Sequence, residues 1–504
     1  MDKKFINNCW RITMLTNILP TNYILLTDGY KANHWEEELG LNIDYRWAVI
    51  VPRKVSKYSD IIVAMGQTFL STMLSSIRIT EWMIDEAEVE ITEQGYNFNR
   101  QGWQVICRMM DGKLPLAVYG VEEGRIVNPQ TPIVGIINTQ PGFGWLVTYY
   151  ETFAQEIIWK MSTVASICRS IRVGLTEMCI ETGTDVDWVN FMLHNFGDRG
   201  ADSPDEAPVM AGMAHAAIFD GSDCLRANRY IKKMYGTSRP STSSIEATEH
   251  SIMCAHSDSE KKDDWGAAVM AVDRLYAAVE RFNKGVGLPA VSVVIDTYNS
   301  RRFVKEYLGT KLKNRILTSG GRMVARPDSG DPKIEPSMVG KDWEDTFGVT
   351  LRTVGEKTFK VLHPQNGVIQ GDGIRVDTWR GVAEGWKNSG FAMDNFCLGM
   401  GSGVTHDGAR DDFSFSMKSI ADYKNGRWVA NLKDPITDSG KKSLSGLVRC
   451  REDANGNLEV YDAIQEGSIF SFLDSTPGWR LWSKDGFREF RQAWDDVKTR
   501  ARSI

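Results

Sequence analysis

Four kinds of short string in this chain carry residues able to bind or act on a phosphorylated or flat aromatic substrate. Gly371-Asp372-Gly373 and Gly399-Met400-Gly401-Ser402-Gly403 each follow a short apolar run. Glycine lets a backbone approach an anion, and the N–H groups at the start of a following helix can hold phosphate. Each string alone reads equally well as a tight turn without a ligand, and two on successive strands favour phosphate. Arg326-Pro327-Asp328-Ser329-Gly330 sets a guanidinium and a carboxylate at a strand end. Asp328 there can accept from a sugar hydroxyl, face a developing positive charge, or help hold Mg²⁺ through water, and the plainer alternative is a local ion pair. In the string His194 to Gly200, Phe196 can stack on a flat ring and Arg199 can donate to a carbonyl; a buried Phe beside a surface Arg is the alternative. His250 follows Glu249 and precedes Ser251. A histidine so placed can be a base or a nucleophile toward phosphoryl groups, or a purely structural residue.

These strings must be positioned by something regular. From Trp188 to Gly403, short apolar runs repeatedly end in a glycine- or charge-rich loop, and a helical stretch follows. Val189 to Leu193, Val291 to Ile295, Met323 to Ala325, Val368 to Gln370 and Phe396 to Leu398 are the runs. Such alternation predicts parallel βα units, whose ligands gather at the C-terminal ends of the strands. Trp265, Val269, Val272, Tyr276, Val279 and Phe282 recur at helical spacing before Gly285, so a helix with that stripe turned inward is expected. Glu151 to Cys179 also reads as helix. Asp331 to Pro364 reads as a polar, irregular insertion, and Asn425-Gly426 and Asn455-Gly456 as hairpin turns. The expected organisation is an N-terminal α+β part over 1–180, a central βα barrel over 181–403, and a part over 404–504 that returns to the second domain.

Composition removes several classes. The chain has 504 residues, of which 42% are hydrophobic and 25% charged, enough for a large core without staples. Its formal net charge of -6 and the lack of any basic block speak against nucleic acid as a partner. No apolar run approaches the ~18 residues of a membrane span, and Asn7, Asn8, Arg11 and Thr13 interrupt any signal-like start. The 8 cysteines form no CxxC pair and are expected as reduced thiols, so an intracellular, cytoplasmic protein is expected. The histidines are scattered, and no zinc site is expected.

Taken in order, the strings resemble the nicotinamide-using members of the nicotinate/nicotinamide phosphoribosyltransferase family. The matching stretches are Thr27 to Lys31 (TDGYK), His194 to Gly200 (HNFGDRG), Phe219 to Asp223 (FDGSD), Ser244 to Ser251, Val291 to Tyr298 (VSVVIDTY), Arg326 to Gly330 (RPDSG), Val368 to Gly373 (VIQGDG), Gly399 to Gly403 (GMGSG), Arg410-Asp411, Ser416 to Lys418 and Lys433 to Pro435 (KDP). The resemblance implies a homodimer of the type II phosphoribosyltransferase fold, α/β in class, with an irregular βα barrel and a second α+β domain from the N- and C-terminal parts. It implies a reaction of nicotinamide with 5-phosphoribosyl-1-pyrophosphate, with Mg²⁺ on the pyrophosphate and ATP hydrolysis through a phosphohistidine.

By the same resemblance, Phe196 and Tyr30 of the partner subunit sandwich the pyridine ring. Arg199 donates to the amide oxygen, and Asp223 accepts from the amide NH₂. Asp328 and Arg326 border the ribose. Ser244, Ser292 and Asp296 line the same floor. Gly371, Asp372, Gly401 and Ser402 hold the 5′-phosphate and ribose. Arg53, Arg410, Ser416, Lys418 and Lys433 take phosphate and pyrophosphate. His250 is the phosphorylated residue, with Glu249 orienting it. Gly29, Asp198, Glu246, Gly367 and Ser402 depart from the family's usual residues. Two alternatives remain: nicotinate phosphoribosyltransferase, which Asp223 argues against by repelling a carboxylate, and a non-catalytic sensor of phosphoribosyl ligands.

Overall fold

Two main sheets of opposite character form in the computed structural model, which describes residues 21–203, 206–437, 442–463 and 477–503. The first is parallel throughout. Its six strands run in the order Leu193–Asn195, Phe396–Met400, Asn366–Gln370, Arg322–Arg326, Ala290–Val294 and Glu246–Ala247. The strands Ala290–Val294, Asn366–Gln370 and Phe396–Met400 are buried at every residue, as parallel strands covered on both faces must be. Isolated parallel bridges Asn195–Ser222 and Gly221–Ser243 continue the pairing from one edge to the residues just before Glu246. The sheet therefore curls round into an irregular βα barrel. Helices Trp265–Asn283, Glu335–Phe347 and Trp379–Asn388 pack against its strands from outside.

The second sheet is antiparallel and is made by both ends of the chain. Its order is Arg427–Ala430, Ser416–Lys424, Ile43–Val51, Val134–Asn138, Leu116–Gly120, Arg480–Lys484 and Phe487–Arg488. The long helix Glu151–Thr182 lies between the two bodies. Ser162 and Ser166 on it accept from the backbone N–H groups of Met65 and Val63, at 3.0 and 2.8 Å. The helix ends at Gly183, whose φ of 68° is the left-handed C-cap that glycine adopts without penalty.

Most of the expected strands and both hairpins form as read. Asn425 and Gly426 take positive φ values of 53° and 77°, matching the twist of the strands they join. Three expectations need correction. Val189 sits in a short 3₁₀ turn, Val186–Phe191, and the strand begins only at Leu193. In the helix Trp265–Asn283 the buried face is Ala267, Ala268, Ala271, Val272, Leu275 and Ala278, whereas Trp265, Tyr276 and Phe282 are exposed. Small residues let the helix lie close to the sheet, and Tyr276 hydrogen-bonds Arg315 O at its rim. The stretch from Asp331 to Pro364 is regular: a helix, Glu335–Phe347, and a hairpin, Val349–Val354 with Lys357–Leu362. Trp343 anchors it, buried and donating to Gly367 O at 3.3 Å. Burial also pushes the Asp342 carboxyl up to about 6, against the pull of Arg301 2.6 Å away.

Among the described residues, no helix is long and apolar enough to cross a membrane. The 7 described cysteines are free thiols, and Cys9 lies outside the described residues.

Candidate active site

A cavity of about 280 Å³ runs through the barrel, from Phe196 and Arg326 at the C-terminal strand ends to Ala290, Arg322 and Cys397 near the N-terminal ends. Phe196, Asp223, Ser244, Ser292 and Arg326 all line it, so the fold gathers residues that the sequence scatters over more than a hundred positions. Phe196 lies against the Phe396–Met400 strand at Gly399, where a Cβ would stand 2.1 Å from the Phe196 ring. The Phe196 N–H donates to Met400 O at 2.8 Å, which locks the loop to that strand. Gly371 stands beside the same ring and beside Arg326, whose guanidinium donates to Thr248 O at 2.8 Å. The hydroxyl of Ser292 and the Nε of Arg326 are buried without a hydrogen-bond partner. Two unsatisfied donors in one cavity wall suit a polar ligand. His194 lies behind Phe196; burial lowers its pKa, with Asp223 opposing.

Asp223 is exposed and forms no ion pair among the described residues. Arg199 is exposed on the turn Asp198–Gly200 and does not line the cavity. The loop at Gly401 and Ser402 packs onto the loop of Phe196: a Cβ on Gly200 would meet Ser402 at 2.7 Å, and Thr405 donates to Gly197 O at 3.0 Å. Asp372 is held by its carbonyl, which accepts from Gln370 at 2.9 Å.

Beside this cavity, His250 begins a short helix, His250–Ala255, with two carboxylates facing its ring. Its Nε2 is 3.1 Å from Asp296, and its Nδ1 is 3.7 Å from Asp328. The second oxygen of Asp296 accepts from the Ser329 hydroxyl. Glu249 does not orient the imidazole. Its carboxylate takes the Ser251 hydroxyl instead, because neighbours along a helix start point apart. Asp296 fills that place, coming from the loop after Ala290–Val294. Sequence reading put Asp296 on the floor of the site but had no spacing rule linking it to His250.

The expected phosphate cations lie elsewhere, on the antiparallel sheet. Val49, Val51 and Arg53 alternate along one chain segment, and Ser416, Lys418 and Ile420 along its neighbour, so all face one small cradle. Lys433 closes it, with Gln130, Lys442 and Ser443. Arg53 is fixed by donating to Ser414 O at 3.0 Å. Burial above all, and then Lys31, Lys433 and Arg53, lower the pKa of Lys418, with Glu151 opposing. Arg410 does not line the cradle; it is exposed and pairs with its neighbour Asp411 at 2.8 Å. Tyr30 is 53% exposed and meets His34 edge-on at 5.5 Å. Gln130 and Lys442 escaped sequence reading: Lys442 follows the KDP string as an unremarkable surface lysine, and Gln130 carries no signal at all.

The departures fit locally. Glu246 receives Arg274 and Arg281, and Asp198 lies 3.8 Å from Arg226. A side chain at Gly29 would meet the Tyr96 ring at 2.6 Å.

Residues 191–464 match the nicotinate phosphoribosyltransferase (NAPRTase) family, and residues 22–118 match the nicotinamide phosphoribosyltransferase N-terminal domain. A nicotinamide phosphoribosyltransferase of Xanthomonas campestris pv. campestris is 32% identical over 440 residues, with 86% of this chain and 89% of that one covered. One from Acinetobacter baylyi is 33% identical over 493 residues, with 88% and 90% covered. Among solved structures, a nicotinate-nucleotide pyrophosphorylase from Pyrococcus furiosus superposes with a TM-score of 0.56 at 13% identity, covering 95% of this chain and 94% of that one. Human nicotinic acid phosphoribosyltransferase gives 0.52 at 15% identity, covering 95% and 93%. These two share the fold, the irregular barrel of type II phosphoribosyltransferases.

The contact of Phe196 with Gly399 yields a test of the cavity. Gly399→Ala should force the ring off its strand, at a cost of ~1–3 kcal/mol for overpacking. A lower Tm and a displaced Phe196 in a crystal structure of the variant are expected; an unmoved ring at unchanged Tm would refute the close packing.

Proposed function

The chain belongs to the nicotinate phosphoribosyltransferase family, and we propose that it joins nicotinamide to 5-phosphoribosyl-1-pyrophosphate, giving nicotinamide mononucleotide and pyrophosphate. The observation that carries the choice of amide is Asp223, an exposed carboxylate on the cavity of Phe196 with no ion-pair partner among the described residues. A carboxylate accepts from an amide NH₂ and repels the carboxylate of nicotinate, a like-charge contact costing several kcal/mol. The relatives named above carry the same activity in their names.

In this reading the pyridine ring lies on Phe196, with Asp223 accepting from the amide NH₂. The ring nitrogen attacks ribose C1; its electron pair forms the new N–C bond as the C1–O bond to pyrophosphate breaks. Positive charge grows on the ribose, next to Asp328, and negative charge grows on the leaving group. The protein's work is alignment of the nitrogen and neutralisation of both charges. Ser292 and Arg326 supply buried donors to the ribose, and Gly371, Asp372, Gly401 and Ser402 surround the 5′-phosphate. Among the described residues Asp328 accepts no hydrogen bond, so its carboxylate would be free to hold Mg²⁺ together with phosphate oxygens. When bound, that ion neutralises pyrophosphate charge.

ATP enters through His250. Asp296 fixes the proton on Nε2, leaving the Nδ1 lone pair to attack the γ-phosphorus while the bond to ADP breaks. The cavity of the barrel and the cationic cradle share no lining residue, which supports a composite site in a homodimer, the cradle and Tyr30 coming from the partner copy. A cytoplasmic setting agrees with the free thiols.

Three measurements test this. A product assay with nicotinamide and nicotinate side by side should give the mononucleotide from the amide alone, and Asp223→Asn should narrow a discrimination that can reach ~10⁴; equal use of both by the wild type would sink the assignment. Tyr30→Ala and Asp328→Ala proteins, each inactive, should recover activity on subunit exchange, since each mixed dimer keeps one intact site; no recovery would remove the shared site. With γ-labelled ATP, acid-labile label should appear on the wild type and on Glu249→Gln, fall in Asp296→Asn and vanish in His250→Ala. Label persisting in His250→Ala would put the acceptor elsewhere.

A further inference from the structure

One side chain in the cationic cradle has no part in the reading so far. Gln130 occupies the left-handed region, with φ of 66°, while its N–H donates to Pro52 O at 2.7 Å. A residue with a Cβ is strained there, and glycine is not. Four of the other described non-glycine residues in this region, Asn42, Asp111, Asn425 and Asp485, are of the types whose short polar chains ease the strain by local hydrogen bonds. Gln130 is held there as the third residue of the turn Asn128–Thr131, closed by the Thr131 N–H donating to Asn128 O at 3.2 Å with Pro129 at its second position, and its carboxamide makes no hydrogen bond among the described residues. The turn sets the side chain on the wall that Arg53, Ser416, Lys418 and Lys433 share. A carboxamide left unpaired on a wall of cations suits an anionic ligand.

The charge in the cradle explains what such a residue adds. Arg53, Lys418, Lys433 and Lys442 crowd together, and among the described residues Glu151, 3.9 Å from Lys418, and Asp434, 2.9 Å from Lys442, stand against them. A further cation would raise the repulsion in the unliganded protein. A carboxamide offers two N–H donors and no charge, so it adds hydrogen bonds to an anion without that penalty. Ser414, also left-handed at φ 51°, aims its carbonyl at Arg53, so a second strained position serves the same wall.

We propose that Gln130 is a specificity-determining residue of the cradle, donating from its carboxamide to a non-bridging oxygen of a bound di- or triphosphate. This rests on the reading of the cradle as the phosphate half of the site, and the ligand is the pyrophosphate of the phosphoribosyl donor or the triphosphate of ATP. Lys442 is the neighbouring cation at the rim.

The test compares wild type, Gln130→Gly and the near-isosteric Gln130→Glu by calorimetric titration with pyrophosphate and with ATP, by KM for each substrate, and by Tm. Gln130→Gly should bind the polyphosphate ~10-fold or more weakly, as loss of a charge-assisted hydrogen bond implies. It should raise the KM for phosphoribosyl pyrophosphate while leaving that for nicotinamide in place, and its Tm should hold or rise because the strain is gone. Gln130→Glu should bind more weakly still. Weakening with pyrophosphate assigns the first source, and weakening with ATP alone the second; either supports the proposal. Unchanged affinity for both in Gln130→Gly overturns it, as does a fall in Tm with affinity retained. Should the glycine variant lose both, Gln130→Glu decides, and wild-type affinity there overturns the proposal. A wild type that binds pyrophosphate through Gln130 but forms no mononucleotide would reject the reaction and leave this inference standing.

Discussion

The antiparallel pairing of Ile43–Val51 with Ser416–Lys424 holds the cationic cradle together. It joins segments from opposite ends of the chain, and behind it Arg46 donates to Asp422, 376 residues away, at 2.8 Å in a buried ion pair. The same register sets Val51 opposite Ser416 and Val49 opposite Lys418, which brings Arg53, Ser416 and Lys418 to one face. The cations so assembled repel one another. Ladder hydrogen bonds and a buried core, Trp47 to Ile50 among it, offset that repulsion in the unliganded protein. A bound polyanion reverses its sign.

The sheet and the barrel are tied by a second buried charge. Glu123, fully buried, accepts from the N–H groups of Gly66 and Thr68 at 3.0 Å each, from the Thr68 and Tyr235 hydroxyls, and from Gln492 at 2.7 Å. Arg500 adds a bond to its backbone carbonyl at 2.8 Å. A carboxylate with this many donors repays its desolvation, and the segments it gathers come from the N-terminal part, a helix on the barrel and the C-terminus. Burial, and next the Glu123 carboxylate, keep the Tyr235 hydroxyl protonated. The barrel strands thus have a fixed neighbour against which their loops are set.

The barrel was legible in the sequence because buried parallel strands leave short apolar runs that stop at glycine, and Gly371, Gly399 and Gly401 mark those stops. Phe196, Asp223 and Arg326 share one cavity because each sits at or just past a strand's end, with Ser292 inside the strand Ala290–Val294 and Ser244 just before Glu246. What spacing could not show is side-chain direction across strands. Glu249 adjoins His250 in sequence and turns away from it, while Asp296, on another strand end, reaches it. The helix stripe of Trp265, Tyr276 and Phe282 failed for a related reason: large residues recur at helical spacing, but close approach to a sheet favours the alanine face. Gln130 was invisible, since Asn128-Pro129 can mark a turn but not which wall the turn's third side chain faces.

Division of the charges between two bodies constrains how the proposed reaction can be accelerated. The pyrophosphate is already present in the substrate, so cations that hold it equally before and during bond breaking lower KM without raising kcat. Only charge that appears as C1–O lengthens can be exploited. On the leaving side that is the oxygen released from C1, and on the ribose side the positive charge spread over the sugar. The cradle is built of long lysines around a small volume, a poor device for following a shift of fractions of an ångström. Asp296, bonded to both His250 and Ser329 at a strand end, is held far more tightly, and Asp328 stands 3.7 Å from the same imidazole. In the proposed reaction the barrel carboxylates therefore supply the stabilisation that grows in the transition state, and the cradle supplies binding. Phosphorylation of His250 between them would place new negative charge where the ribose becomes positive, which couples ATP use to the chemical step rather than to the pyridine pocket.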